Sequence, residues 1–292
     1  LVDRGIINGY ADGTFRPDNP INRDEYIKLV VSALGFELAN GAGYWAQPFI
    51  SKALDLGLIY DGEFSSFNTP ISREEMAGII VRAADLNEEP PVYTYDHHIP
   101  AAIGDLKQAN LHYQDEIVRS YRYGLITGKK AGVFDPKGHS TRAEAATVIT
   151  RLLNAEYRNP FGAYIENHLA MKTADVADID DLSILPAFYE KFRNTRNMQK
   201  YASIDELRET IIAVRELTSR ISYEREGDLL HVTIPEHDER QFLVRLGTRS
   251  GQYLKSGTYT IDLNEPKPDG KPLIFVVIIS DNQTRVRQSV DT

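Results

Sequence analysis

Gly124-Leu-Ile-Thr-Gly128, Gly132-Val-Phe134-Asp-Pro136 and Ser140-Thr-Arg-Ala-Glu144 form one stretch whose parts recur twice upstream. The first copy reads Gly5-Ile-Ile-Asn-Gly9, Gly13-Thr-Phe15-Arg-Pro17 and Ile21-Asn-Arg-Asp-Glu25. The second reads Gly57-Leu-Ile, Gly62-Glu-Phe64 and Ile71-Ser-Arg-Glu-Glu75. First glycine and arginine are 18 residues apart in copies one and three and 16 in copy two; the later glycine precedes the arginine by 10, 11 and 10. Near-constant spacing of this kind marks a tandem array of one supersecondary unit.

Each copy can be read locally. Ser72-Arg-Glu-Glu75 and Thr141-Arg-Ala-Glu144 have the form of a capping box, and Asn22-Arg-Asp-Glu25 is its Asn variant. The short oxygen side chain accepts from an early backbone N–H while the glutamate reaches back to the cap. Apolar residues then follow at helical spacing (Leu29, Val30 and Leu34; Ile79, Ile80 and Ala83; Val148, Ile149 and Leu152). Every unit is thus a glycine-punctuated loop opening a helix with arginine at its first position. Free N–H groups and the helix dipole at such an end favour anions, and an arginine fork adds a bidentate grip. The alternative is an arginine that braces the loop against a neighbouring acid.

These motifs resemble the S-layer homology (SLH) modules of bacterial surface proteins. Tyr10-Ala-Asp12-Gly13-Thr14-Phe15-Arg-Pro17, Thr141-Arg142-Ala143-Glu144 and Trp45-Ala46 ahead of Gly57 carry the resemblance, which covers about residues 1–154. It implies a pseudo-threefold helical domain that binds anionic secondary cell-wall polysaccharide, often pyruvylated, and holds the protein on the cell surface. By the same resemblance Arg23, Arg73 and Arg142 are the expected carboxylate contacts, each in a groove with loop glycines nearby (Gly13, Gly62, Gly132). Trp45 and Tyr113, where the family carries Trp, read either as core or as rings lining a sugar groove. Asp24 and Glu74 stand next to their arginines and would compete with an anion. Ala143 would not, and Lys129, Lys130 and Lys137 surround the third loop, so the third site is expected to be the strongest.

The chain has 292 residues, net charge −9 and no cysteine. That excludes disulfides, thiol catalysis and zinc-thiolate sites. An acidic chain is a poor general binder of nucleic acid and equally of an anionic wall polymer, so binding must use focused pockets. No apolar run is long enough for a membrane span. The start, Leu1-Val-Asp-Arg-Gly5, corresponds to the last turn of the helix expected to open the first unit.

The expected organisation is SLH module 1 over 1–39, module 2 over 40–87, a linker at 88–99 containing Pro90-Pro91, and module 3 over 100–155. A helical segment follows over 156–220. In it Ser203-Ile-Asp-Glu206 repeats the capping box with Ile204 in the arginine slot, as in a degenerate fourth unit that could cover faces bared by the missing first helix. From 221 to 292 the period becomes two, with strands over 229–234, 241–246, 258–263, 272–279 and 285–290. Leu273-Ile-Phe-Val-Val-Ile-Ile279, apolar without alternation, is the expected central strand. The fold class is therefore multidomain: an all-α-rich SLH domain, a helical connector and a small all-β sandwich or barrel.

No catalytic constellation, cofactor loop or metal-ligand pattern stands out, so the chain is read as a non-enzymatic binding protein. Adjacent His97-His98 lacks accompanying ligands. The Asp175–Asp181 cluster, a calcium candidate, lacks the spaced ligands and glycine of a calcium loop. The main expectation is an extracellular protein attached to wall glycan and self-associating in a surface array. The alternative is a structural subunit of a self-assembling layer or filament, with the triple unit as packing scaffold. Guanidinium groups wholly sequestered by the protein's own acids would favour the scaffold.

Overall fold

Three buried residues, Ile21, Ile71 and Ser140, join the repeats by a closed ring of backbone hydrogen bonds. Ile21 N donates to Ser140 O, Ser140 N to Ile71 O and Ile71 N to Ile21 O, each at 3.0 Å. All three are fully enclosed. The structure, a computed structural model, describes residues 1–2, 4–10, 12–171, 179, 181–195, 198–239, 242–246, 254–262, 274–279 and 285–289. The chain divides into two compact units, Leu1–Ala170 and Met171–Thr292.

Unit one holds α1 (Arg23–Ala33), α2 (Gln47–Asp55), α3 (Arg73–Asp85), the short α4 (Ile99–Ala102), α5 (Gln114–Tyr123), α6 (Arg142–Leu153) and α7 (Phe161–Met171), which runs to the boundary. The capping-box helices α1, α3 and α6 pack on one another, while α2 lies on α1 and α5 on α3. Their starts match the sequence reading. Ser72 Oγ and Thr141 Oγ1 accept the N–H groups of Glu75 and Glu144. The glutamates reciprocate, taking the Ser72, Thr141 and Asn22 N–H groups at 2.9, 2.8 and 2.9 Å. Outer helices close on left-handed glycines, Gly57 (φ 69°) and Gly124 (φ 71°), a conformation glycine adopts without a Cβ penalty. The following N–H returns to the last turn: Leu58 to Ala53 at 2.8 Å, Leu125 to Ser120 at 3.0 Å. Gly5 (φ 65°) repeats it, with Ile6 N bonded to Leu1 O at 3.1 Å. The turn closed at Gly5 thus repeats the glycine end of an outer helix. The proline linker is tied to its own unit, Glu88 taking Arg158 at 2.6 Å and its carbonyl the Tyr123 hydroxyl at 2.8 Å.

Unit two holds α8 (Leu185–Phe192), α9 (Ile204–Ser219) and strands β1 (Ser222–Glu226), β2 (Leu229–Ile234), β3 (Phe242–Leu246), β4 (Gly257–Asp262), β5 (Ile274–Ile279) and β6 (Arg285–Ser289). These strands form two antiparallel three-stranded sheets, β1-β2-β4 and β3-β5-β6. The expected central strand is central, as β5. The expected all-β character needs correction. Val214 and Leu217 of α9 share one core with Ile221, Leu230, Val232, Ile234, Phe242 and Val244. The amphipathic helix supplies a wall that short strands could not close alone. Ser203 caps α9 through Glu206 N at 3.1 Å, but Glu206 takes Ala202 N rather than the cap's own N–H. β1, Ser-Tyr-Glu-Arg-Glu and exposed throughout, escaped the sequence reading because it has no apolar alternation. The Asp175–Asp181 cluster lies outside the described residues except for Ile179 and Asp181, and Asp181 caps Ser183 N at 2.8 Å. Among the described residues no helix is long and apolar enough to cross a membrane.

Candidate functional site

The three arginines at the helix starts lie where the sequence placed them, but each faces a neighbouring repeat. Arg23 Nε and Nη2 clasp Glu75 at 3.0 and 2.7 Å, and Nη1 donates to Ser66 O at 3.1 Å and to Thr69 Oγ1. Arg73 donates to Phe134 O at 2.8 Å, Thr127 O at 2.9 Å and Glu144 Oε1 at 3.0 Å. Arg142 donates to Phe15 O and Asn8 O, each at 3.0 Å. Its Nη1 stands 4.0 Å from Glu25 Oε1. Each guanidinium also lies over a loop phenylalanine ring, Phe64, Phe134 or Phe15, at 5.2, 5.0 and 4.9 Å.

Arginine and loop are therefore paired cyclically, offset by one repeat. The first helix grips the second loop, the second helix the third loop, and the third helix the first. The loop glycine on the same loop as each arginine's partners is therefore the neighbouring repeat's. Arg142 belongs with Tyr10, Gly13 and Phe15, Arg23 with Gly62, and Arg73 with Gly132 and the lysine-bearing loop. Gly13, Gly62 and Gly132 are turn residues with φ of 80°, 74° and 72°.

The helix starts do not offer free N–H groups either. Arg23 and Asp24 donate to Thr69 O and Phe67 O, Arg73 and Glu74 to Gly138 O and Pro136 O, and Arg142 and Ala143 to Asn19 O and Pro17 O, at 2.9–3.0 Å. A helix start leaves its first N–H groups without intrahelical partners, and here loop carbonyls of the neighbouring repeat take that place. The acids beside two arginines have another role than competition. Asp24 accepts the Tyr44 hydroxyl at 2.6 Å ahead of α2. Glu74 accepts Asn110 N and Nδ2 at 2.9 and 2.8 Å ahead of α5, and Lys137 Nζ at 2.6 Å. Lys129 is paired with Asp135 at 2.6 Å.

Tyr113 is interior, 2% exposed, and its hydroxyl donates to Glu63 at 2.7 Å. It is a core residue and not a groove ring, because the outer helix lays it across Gly78 of α3. Trp45 is only partly buried, edge-on to Tyr44, with Lys28 Nζ 5.6 Å from its ring. Sequence reading missed Arg82. Its fork holds Glu63 at 2.9 Å, Glu116 at 3.0 Å and Leu58 O at 3.1 Å. Burial pushes the Arg82 pKa down, but the two carboxylates more than offset this and it is raised. Burial, then Glu63, pushes the Tyr113 hydroxyl well up, and burial, then Asp24, does the same to Tyr44.

Of the three forks, those of Arg23 and Arg73 have every nitrogen in a close hydrogen bond to the protein, whereas among the described residues Arg142 Nη1 has only the distant Glu25. Tyr10 lies beside it, its ring 4.9 Å from the Arg142 guanidinium and 4.1 Å from that of Arg16.

Residues 1–27 and 112–146 match the family model of the S-layer homology domain. An exoglucanase of Acetivibrio thermocellus is 30% identical over 162 residues, 52% of this chain and 15% of that protein. A protein named as an uncharacterized cell wall amidase of Bacillus anthracis is 30% identical over 156 residues, 50% of this chain and 28% of its own. An S-layer protein of Bacillus thuringiensis subsp. finitimus is 28% identical over 162 residues, 52% of this chain and 19% of its own. The matched stretch spans less than a third of each relative, and the same stretch accompanies enzymes and a layer protein alike. The three capped helices closed into a ring thus lie in the stretch of the chain that is similar to S-layer homology modules, with the family model itself matching over residues 1–27 and 112–146.

Proposed function

We propose that the first unit anchors the protein non-covalently at the bacterial cell wall, outside the cell, by binding an anionic, pyruvylated polysaccharide. Relatives named as an S-layer protein and a cell wall amidase support attachment at that surface. The observation that carries the binding reading is the unsaturated fork of Arg142. Among the described residues its Nη1 has no close acceptor, and Glu25 at 4.0 Å attracts it without a hydrogen bond. A ligand carboxylate can take that position, with Tyr10 offering a ring edge. Arg23 and Arg73 would have to release protein acceptors first, so they act as braces between repeats. The SLH stretch is non-catalytic in this reading, and any enzymatic activity would belong to other parts of a longer protein.

A pull-down with purified sacculi, with and without chemical removal of pyruvyl groups, tests the reading. Arg142→Ala should weaken binding by roughly 1–3 kcal/mol, the scale of a charge-assisted contact. Arg142→Lys keeps the charge and loses the fork, and should fall between. Melting temperatures recorded in parallel separate lost binding from lost fold. Undiminished retention by Arg142→Ala would remove the site assignment.

A second reading is favoured by the occupied forks of Arg23 and Arg73: the ring serves as a scaffold within a self-assembling surface layer. Electron microscopy of the purified protein without glycan distinguishes the two, since ordered arrays formed by the protein alone support assembly as the primary role.

A further inference from the structure

Asn8-Gly9 and Asn40-Gly41 are the two Asn-Gly pairs of the sequence. Glycine after asparagine has no Cβ to hinder its amide nitrogen, so that nitrogen can reach the asparagine Cγ. The two pairs are held differently. Gly41 N donates to Trp45 O at 3.0 Å, and a Cβ there would meet Tyr44 O at 2.5 Å, so a tight turn fixes this nitrogen. Asn8 and Gly9 are both exposed, and among the described residues Gly9 N has no acceptor. The equivalents of Asn8 after α2 and α5 are Tyr60, 59% exposed, and Thr127, half-buried. An outer helix in front of the glycine thus leaves this position accessible to water.

What distinguishes Asn8 is the arginine it receives. Its main-chain carbonyl accepts Arg142 Nη2 at 3.0 Å, as Thr127 O accepts Arg73 Nη2 at 2.9 Å. Arg73 also has Glu144 on Nη1 at 3.0 Å, whereas among the described residues Arg142 Nη1 has only Glu25 at 4.0 Å.

We propose that Asn8 deamidates spontaneously and that the isoaspartate product closes the Arg142 fork from within. Gly9 N attacks Asn8 Cγ. The N–Cγ bond forms, the Cγ–Nδ2 bond breaks, and ammonia leaves with the proton of Gly9 N. Water then opens the cyclic imide. Breaking N–Cγ gives aspartate on a normal main chain. Breaking the original peptide C–N bond instead leaves the main chain running through Cβ and Cγ, and frees the former carbonyl carbon as a carboxylate. The group whose oxygen Arg142 Nη2 already holds thereby gains a second oxygen and a negative charge, the shape that a guanidinium fork takes bidentately. The chemical step stands on Asn8, Gly9 and Gly41; its consequence for glycan binding rests on the anchoring reading of Arg142.

Ageing the 292-residue chain in mildly alkaline buffer, followed by peptide mass spectrometry and isoaspartyl methyltransferase labelling, tests the chemistry. Asn8 should react about tenfold or more faster than Asn40 in the folded chain, where the Gly41 hydrogen bond and its turn must open first. In urea the two rates should converge. No reaction at Asn8, or equal rates at both sites in the folded chain, overturns the proposal. Guanidinium NMR reads the fork. The Arg142 Nη signals, assigned through Arg142→Lys, should shift and sharpen in the isoaspartate fraction, and unchanged signals overturn the closure. In the sacculus assay that fraction should lose about tenfold or more in affinity, the scale of one charge-assisted contact. Aged Asn8→Gln, whose longer side chain cyclises far more slowly, should bind as its own fresh sample does. An equal loss with age in that variant assigns the effect elsewhere and overturns the closure. Shifted NMR signals with undiminished binding support the modification and its closure, and remove the Arg142 anchoring reading instead.

Discussion

Helices α3 and α1 begin alike and finish differently. Both open on an arginine that braces a neighbouring loop and both carry a capping glutamate, but Glu75 of α3 clasps Arg23 whereas Glu25 of α1 stands 4.0 Å from Arg142. Along α3 the polar side chains then find partners inside the protein. Arg82 joins Glu63 and Glu116, and Tyr113 crosses Gly78 to reach the same Glu63. Along α1 the corresponding positions are Ser32 and Lys28, the latter with its ammonium 5.6 Å from the Trp45 ring, and among the described residues neither has an ion-pair partner. Positions that recur in this array hold the repeats together.

The largest effect should come from breaking the closed cluster. Arg82→Met leaves Glu63 and Glu116, both with largely enclosed side chains, facing each other without a cation. Loss of one partner from a buried ion pair costs about 3–5 kcal/mol, and a fall of that size in urea unfolding is expected. A loss under about 1 kcal/mol would mean that water enters α3 as readily as α1, and the contrast would fail.

The glycine ends of α5 and α2 sharpen it next. A Cβ on Gly124 would lie 2.4 Å from the Asn159 and Pro160 backbone, whereas Gly57 has open space there. Gly57→Ala should cost about 1–2 kcal/mol through its left-handed backbone alone. Gly124→Ala should cost clearly more, because rigid main chain blocks it as well.

Alkaline titration gives a smaller effect of definite sign. The Tyr113 hydroxyl is pushed up by burial and by Glu63, so the folded chain holds a proton that the unfolded chain releases near pH 10. Its stabilising contribution is complete below that pH and is lost as pH rises above it. Thermal melts between pH 8 and 11, run on the chain and on Tyr113→Phe, should show a shallower alkaline decline in the variant.

The smallest expected change is a gain. Ser140 stands on the ring position that Ile21 and Ile71 occupy in the other repeats, and its buried hydroxyl has no hydrogen-bond partner among the described residues. Ser140→Ala removes an unsatisfied polar group and should raise stability by about 1 kcal/mol in the same urea experiment.

Much of the first unit was legible because its signals are local. Capping-box residues, glycine ends and apolar faces act within one turn of helix, and the structure places all three helix starts where the spacing put them. β1 was not legible, since its strand character comes from pairing with β2 and not from its own charged side chains. The candidate site was legible in its residue types but not in its partnerships. Asp24 and Glu74 read as competitors for an arginine, yet they hold Tyr44 and Asn110 from segments 20 and 36 residues away.

By itself, the sequence determined three repeats, their helices, the arginine at each start and the acid that caps it. Only the tertiary structure decided which loop each arginine holds. The chain enters each helix through an extended cap residue, as at Asn22 with φ −81° and ψ 161°. A loop running extended into its own helix cannot turn its carbonyls back onto that helix's first N–H groups. Those carbonyls meet the neighbouring helix instead, and three such offsets close a ring. Its closure commits most of the arginine donors to the protein and, among the described residues, leaves Arg142 Nη1 without a close acceptor.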